Sequence, residues 1–112
     1  MDSDCNVLKI TVAADGTLMV VGDIDMAGGP ILEQALVERE VELAADGGDA
    51  LVVDLRNVHF IDSSGLRSLL RATRRGADRR AQLELRSVSP QIIRLFEITN
   101  TMDMFRIASR RE

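Results

Sequence analysis

The sequence predicts an α/β fold: a mixed sheet of about four to five strands backed by helices, in the order β-β-α-β-α-β-α-β. Three observations predict it. Two apolar runs near the start flank Asp15-Gly16, a hairpin signal. From Pro30 onward, helix-period segments alternate with strand-sized apolar runs. The switches between them fall at Gly, Pro, Ser and Asp, as at Gly47-Gly48 and Ser89-Pro90. At 112 residues the chain suffices for one core without staples, so residues 1–112 are expected to form one domain, its core spanning about 7–107.

The first strand is expected over Val7–Ala13 and the second over Leu18–Gly22. A two-residue Asp15-Gly16 turn would pair Val12 with Met19 and Ile10 with Val21. Leu18 and Val20 make the second strand apolar on its other face too, which suits a strand inside the sheet. After the loop Met26–Gly29, Pro30 fits a first helical turn, and Ile31, Leu32, Ala35, Leu36, Val41 and Leu43 carry a helix to about Asp46. A third strand is read at Ala50–Asp54, with a second apolar step at Phe60-Ile61. Leu66, Leu69, Leu70 and Thr73 then share one helical face, and that helix is expected to stop near Gly76. Gln82–Arg86 reads as a fourth strand. Ser89-Pro90 starts a helix buried through Ile92, Ile93, Leu95 and Phe96, and Asn100 suits its left-handed end. Phe105–Ile107 completes the sheet. Repeats, linkers and low-complexity stretches are absent.

Composition excludes several functions. A net charge of −4 argues against a general nucleic-acid binder. No apolar run has membrane-spanning length, and the acidic start Met1-Asp2-Ser3-Asp4 lacks the basic character of a secretory signal, so a cytoplasmic protein without membrane contact is expected. The single cysteine, Cys5, reads as an incidental thiol. With one histidine, His59, and one cysteine, a nitrogen–sulfur metal site cannot assemble within the chain, and no Ser-His-Asp arrangement is supported. Phosphate-loop patterns are missing, since Gly28-Gly29-Pro30 is followed by no Lys or Ser/Thr. Asp54 at a strand end suggests a phospho-accepting receiver, but the only lysine, Lys9, lies in the first strand; Asp54 is therefore expected to bond nearby backbone. Neither an enzyme nor a cofactor is expected.

The most informative segment is Asp62-Ser63-Ser64-Gly65, which places two hydroxyls at a helix N-terminus. Taken alone, Ser63 or Ser64 would simply cap the helix. The reciprocal capping box is missing, however, because Leu66 and Arg67 stand three residues after the serines. A phosphoryl group is readily accommodated at such a place. Arg67, Arg71, Arg74 and Arg75 fall at helical spacing opposite the leucines, with Arg79 and Arg80 beyond. The stripe is either a solvated face or a dock for an acidic partner. Arg67 sits in the first turn, where a cation opposes the macrodipole. Asp25 and Asp62 read as turn residues that would repel a phosphoryl group placed between them.

These pieces together resemble a STAS domain, and specifically the bacterial anti-sigma-factor antagonists. The resemblance rests on Val21-Gly-Asp-Ile-Asp25, Pro30-x-Leu32-x-x-x-Leu36, Leu51-Val-Val-Asp-Leu55, Val58-x-Phe-Ile-Asp-Ser-Ser-Gly-Leu66 and Ser89-Pro90-x-x-x-Arg94-Leu-Phe96. It implies that Ser63, with Ser64 as second choice, is phosphorylated by an anti-sigma factor with serine kinase activity. It further implies that the unphosphorylated form binds that factor and releases a sigma factor, and that a serine phosphatase restores binding. Asp25, Asp62, Ser63, Ser64, Gly65, Arg67, Arg71 and Arg74 would form the partner-binding surface. STAS domains also serve as accessory subunits of lipid-transport ABC systems, anion-transporter tails and modules of stress-sensing complexes. The chain departs from the family pattern at Gly28, where Thr or Ser is common, and at Arg67 and Asn100, where Gly is frequent. Many relatives carry a further C-terminal helix, whereas this chain stops at Glu112, which implies a minimal domain or a shortened chain.

Overall fold

A computed structural model describes residues 8–48, 50–79 and 82–108, without the side chains of 77–79. Expectations on Cys5, Val7, Arg80 and the final four residues lie outside these. The element order is β1 (Lys9–Val12), β2 (Leu18–Ile24), α1 (Gly28–Asp46), β3 (Ala50–Ile61), α2 (Ser63–Arg79), β4 (Gln82–Arg86), α3 (Pro90–Ile98) and β5 (Arg106–Ala108). A 3-10 turn at Met102–Met104 precedes β5. One five-stranded sheet runs in the order β1-β2-β3-β4-β5, with β1 antiparallel to β2 and the other pairs parallel. The α/β class and element order match the sequence reading, and β2 lies inside the sheet as expected.

The hairpin differs by one residue. Ala13 N–H donates to Thr17 O at 2.8 Å, so three residues, Ala14-Asp15-Gly16, form the loop, with Gly16 at φ 90°. That is the three-residue hairpin, whose last position favours glycine. Asp15 Oδ1 accepts the Thr17 N–H at 3.0 Å, and this bond holds the Asp15 carboxyl below its ordinary range. The extra loop residue shifts the register: Val12 pairs with Leu18 and Ile10 with Val20. A one-residue slip exchanges faces, so Ile10 lies over the core with Leu18 and Val20, and Val21 is 45% exposed.

β3 is the larger departure. It continues past Asp54 to Ile61 as one strand of 12 residues. Against β2 its register slips twice: Met19 pairs with Asp54 but Val21 with Asn57, and Gly22 pairs with Val58 but Ile24 with Ile61. In each step two β2 residues oppose three of β3, the signature of a bulge. Asp54 stabilises the first bulge by accepting the Arg56 N–H at 2.7 Å. It bonds backbone, as expected, but from within the strand.

Leu18 pairs with Val53, Val53 with Leu85 and Leu51 with Leu83, and all are buried. Leu32, Leu36 and Leu43 of α1, Leu66, Leu69 and Ala72 of α2, and Ile92 and Phe96 of α3 complete the core. α2 runs through Gly76 to Arg79, beyond the expected stop, because Gly76 is buried within the helix. α3 has Ser89 as N-cap, its side chain accepting from Ile92 N–H. Asn100 takes the left-handed conformation at φ 60°.

Charges also join α1 to α2. Glu40, 3% exposed at its side chain, receives Arg75 Nε at 2.8 Å and Nη2 at 2.9 Å, while Arg75 Nη1 reaches Glu33 at 2.8 Å. These bonds, led by those from Glu40, raise the Arg75 guanidinium above its ordinary pKa. Removing the cation withdraws hydrogen bonds from a buried carboxylate, the costly way to break an ion pair. Arg75→Met should therefore destabilise the fold by about 3 kcal/mol in urea unfolding; a loss below about 1 kcal/mol would show the clamp to be ornamental.

Candidate functional site

β2 and β3 end side by side, with Ile24 paired to Ile61, so the loops after them leave the same edge of the sheet. Asp62 N–H donates to Ile24 O at 3.1 Å and joins the two loops. This edge, outside the carboxyl ends of parallel strands, is where open α/β sheets commonly present ligand-contacting groups.

Each loop is closed by an aspartate. Asp25 Oδ1 accepts from Ala27 N–H at 3.1 Å and Gly28 N–H at 2.8 Å, and Asp25 O accepts from Gly29 N–H at 2.7 Å. The first turn of α1, whose N-cap Ala27 offers no side-chain bond, is served in this way. Gly28 in place of a hydroxyl residue thus leaves the turn satisfied. Asp62 Oδ1 likewise accepts from Ser64 N–H at 2.8 Å and Gly65 N–H at 3.1 Å, and Leu66 N–H donates to Asp62 O at 2.9 Å. Asp62 is therefore the cap of α2, which sets aside the simple reading of Ser63 or Ser64 as the cap. An aspartate can serve both helix N-terminal donors and the macrodipole. Ser63, one residue later, is exposed, and its hydroxyl makes no hydrogen bond among the described residues.

Gly65 does not present a surface. It is buried, and a Cβ there would lie 2.4 Å from both Ile24 Cγ2 and Ile24 O. Its role in the site is to let the first turn of α2 press against the end of β2.

The arginine stripe divides. At about 100° per residue, Ser63, Arg67 and Arg74 share one direction on α2, and all three are exposed. Neither Arg67 nor Arg74 has an ion pair among the described residues. Arg71 and Arg75 turn toward α1: Arg71 meets Glu33 at 3.4 Å and is half exposed, while Arg75 belongs to the clamp. The expected cationic face is thus narrower than the sequence spacing suggests.

Sequence reasoning missed two members. Met26, 77% exposed, projects from the β2–α1 loop beside the serine turn. It borders a groove of about 290 Å³ that also includes Glu33, Ser64, Arg67 and Arg71. Ser68 is buried and donates toward Gly29 O at 3.4 Å and Ser64 O at 3.3 Å, tying the first turns of α1 and α2 together. Its signal was a small polar residue four after Ser64 amid leucines and arginines; Met26 was marked only by being apolar in a Gly-rich loop. A larger hollow of about 400 Å³, lined by Thr73, Leu83 and Phe105 among others, contains none of these groups. Among the described residues no cluster of His, Cys, Asp or Glu could hold a metal, and no helix is long and apolar enough to cross a membrane.

Residues 10–106 match the family model described as Mlab, STAS domain. An anti-sigma-B factor antagonist of Bacillus subtilis is 32% identical over 93 residues, covering 83% of this chain and 81% of the relative. The crystal structure of an anti-sigma factor antagonist from Mycobacterium paratuberculosis superposes with a TM-score of 0.70 at 27% identity, covering 95% of this chain and 89% of that one. The Bacillus cell fate determinant SpoIIAA, solved in its phosphorylated form, shares the fold at a TM-score of 0.60 and 15% identity, covering 93% of each chain.

The close approach at Gly65 can be tested directly. Gly65→Ala should cost about 2 kcal/mol of stability, because Ile24 backbone as well as its side chain must yield. Thermal unfolding indistinguishable from the parent would show that α2 can back away freely.

Proposed function

This chain belongs to the STAS domain family, and we propose that it is an anti-sigma-factor antagonist acting by partner switching. In this reading the unphosphorylated chain binds a cognate anti-sigma factor with serine kinase activity in the cytoplasm and so frees a sigma factor. Phosphorylation of Ser63 abolishes that binding, and a serine phosphatase restores it. The chain itself contributes no catalytic group, cofactor, nucleic-acid contact or membrane contact.

The observation that carries the reading is that Asp62 caps α2, leaving the exposed Ser63 hydroxyl with no structural duty among the described residues. Ser64 is half-buried at the α1–α2 groove and is the less accessible hydroxyl. Relatives named as anti-sigma-B factor antagonists, and a fold relative solved in phosphorylated form, support the same assignment. Around Ser63, the flanking Asp25 and Asp62 and the exposed Arg67, Arg74 and Met26 make a docking surface of mixed charge with an apolar anchor. Arg71 contributes to it only as far as Glu33 releases it.

A phosphoryl group adds about −1.5 to −2 charge at neutral pH, beside two carboxylates that already serve as caps. A partner surface matched to a neutral hydroxyl then meets added negative charge and the cost of desolvating it.

Incubation with the kinase-like partner and ATP, followed by intact mass and peptide mapping, should find one phosphoryl group on Ser63, absent from Ser63→Ala. Its appearance on another residue, or on none, would overturn the assignment. Ser63→Glu should bind the partner at least about tenfold more weakly than Ser63→Ala, a difference of about 1.4 kcal/mol. Equal affinities in calorimetry would reject a charge-driven release.

A further inference from the structure

A phosphoryl group on Ser63 would stand at the positive end of α2, yet the three backbone donors that follow Ser63 are already in use. Asp62 Oδ1 takes Ser64 N–H and Gly65 N–H, and Asp62 O takes Leu66 N–H. The neighbouring loop groups, Asp25 and Asp62, are acceptors and repel a second anion. A compensating positive charge has to come from a side chain, and α2 offers few. Arg75 is bound by Glu40 and Glu33, and Arg71 faces Glu33. Arg74 lies eleven residues on, about 16 Å along the axis. Arg67 lies four residues on, about 6 Å along the axis and on the same face, exposed and without an ion pair among the described residues.

Arg67 is also misplaced in the unmodified chain, since a cation in the first turn opposes the helix dipole. An anion placed four residues before it reverses that: anion first, cation second is the favourable order on a helix. Taking Ser63 as the modified residue, we propose that Arg67 clamps the phosphoryl group within α2, so that modification both adds charge and withdraws this arginine from the docking surface. Arg67 is a positioning residue of the switch. The modified face then presents a compensated ion pair where the unmodified face presented a free hydroxyl and a free guanidinium. A partner carboxylate that used Arg67 loses its cation in the same event.

The test installs phosphoserine at position 63 by genetic encoding, with no kinase involved, and follows its titration by phosphorus NMR. The ordinary second pKa of phosphoserine is roughly 6. In the parent chain it should lie lower than in Arg67→Gln by about half a unit, whereas Arg71→Gln should leave it unchanged. Coincident curves for the parent and Arg67→Gln would overturn the clamp, and so would an equal displacement in Arg71→Gln, which would indicate a diffuse field. Both outcomes are independent of whether a kinase selects Ser63, which peptide mapping decides.

Discussion

The missing Cβ of Gly65 is the constraint on which the site depends. Because nothing projects there, the first turn of α2 seats against Ile24 at a distance no larger residue permits. That seating lets Asp62 N–H reach Ile24 O, and it holds Asp62 over the free N–H groups of α2. Two residues before Gly65 the helix has turned by about 200°, so Ser63 faces outward because Gly65 faces inward. The exposed hydroxyl is thus a geometric consequence of a buried glycine.

Much of this was legible in the residues, and the failures are instructive. Gln82–Arg86 and Ser89-Pro90 were readable because apolar period and punctuation agree there. The third strand is read only to Asp54 because polar Asp54, Arg56 and Asn57 interrupt the apolar run around Leu55; the structure uses them in a bulge, with the Asp54 carboxylate satisfying the backbone that the bulge exposes. The hairpin register was lost to one residue: Asp15-Gly16 marks two different turns, and only the Ala13–Thr17 hydrogen bond separates them. The sequence leaves a capping serine open because Ser63 and Ser64 stand out, although Asp62 is as good a cap by residue type. What sequence cannot supply is the competition for one set of N–H groups, which Asp62 wins by position.

The same competition sorts the charged residues. Four arginines at helical spacing suggested one surface, but Glu33 and Glu40 of α1 engage the two that turn inward. Glu40 is buried and Arg75 three-quarters buried, so their bonds fix how α1 and α2 sit against each other. Arg67 and Arg74 are left to solvent. A helix that packs through one pair of cations and presents another can tolerate changes at its outer face without losing its place in the core. The exposed pair is accordingly where substitution would alter the outer surface at least structural cost.

The Asp62 cap also limits what a phosphoryl group on Ser63 could do to the fold. At an uncapped helix start an added anion would collect free N–H groups and tighten the first turn. Here Asp62 already holds two of those donors through Oδ1 and a third through its carbonyl oxygen. Displacing it would forfeit charge-assisted bonds to gain others of the same kind, a near-neutral exchange with no gain to drive rearrangement. The proposed modification would thereby be confined to the surface: it would change the charge a partner meets and leave the β2 and β3 ends, the Gly65 contact and the core as they are. A switch of the proposed kind would need no second conformation of its own, because its bistability would lie in whether the partner is bound.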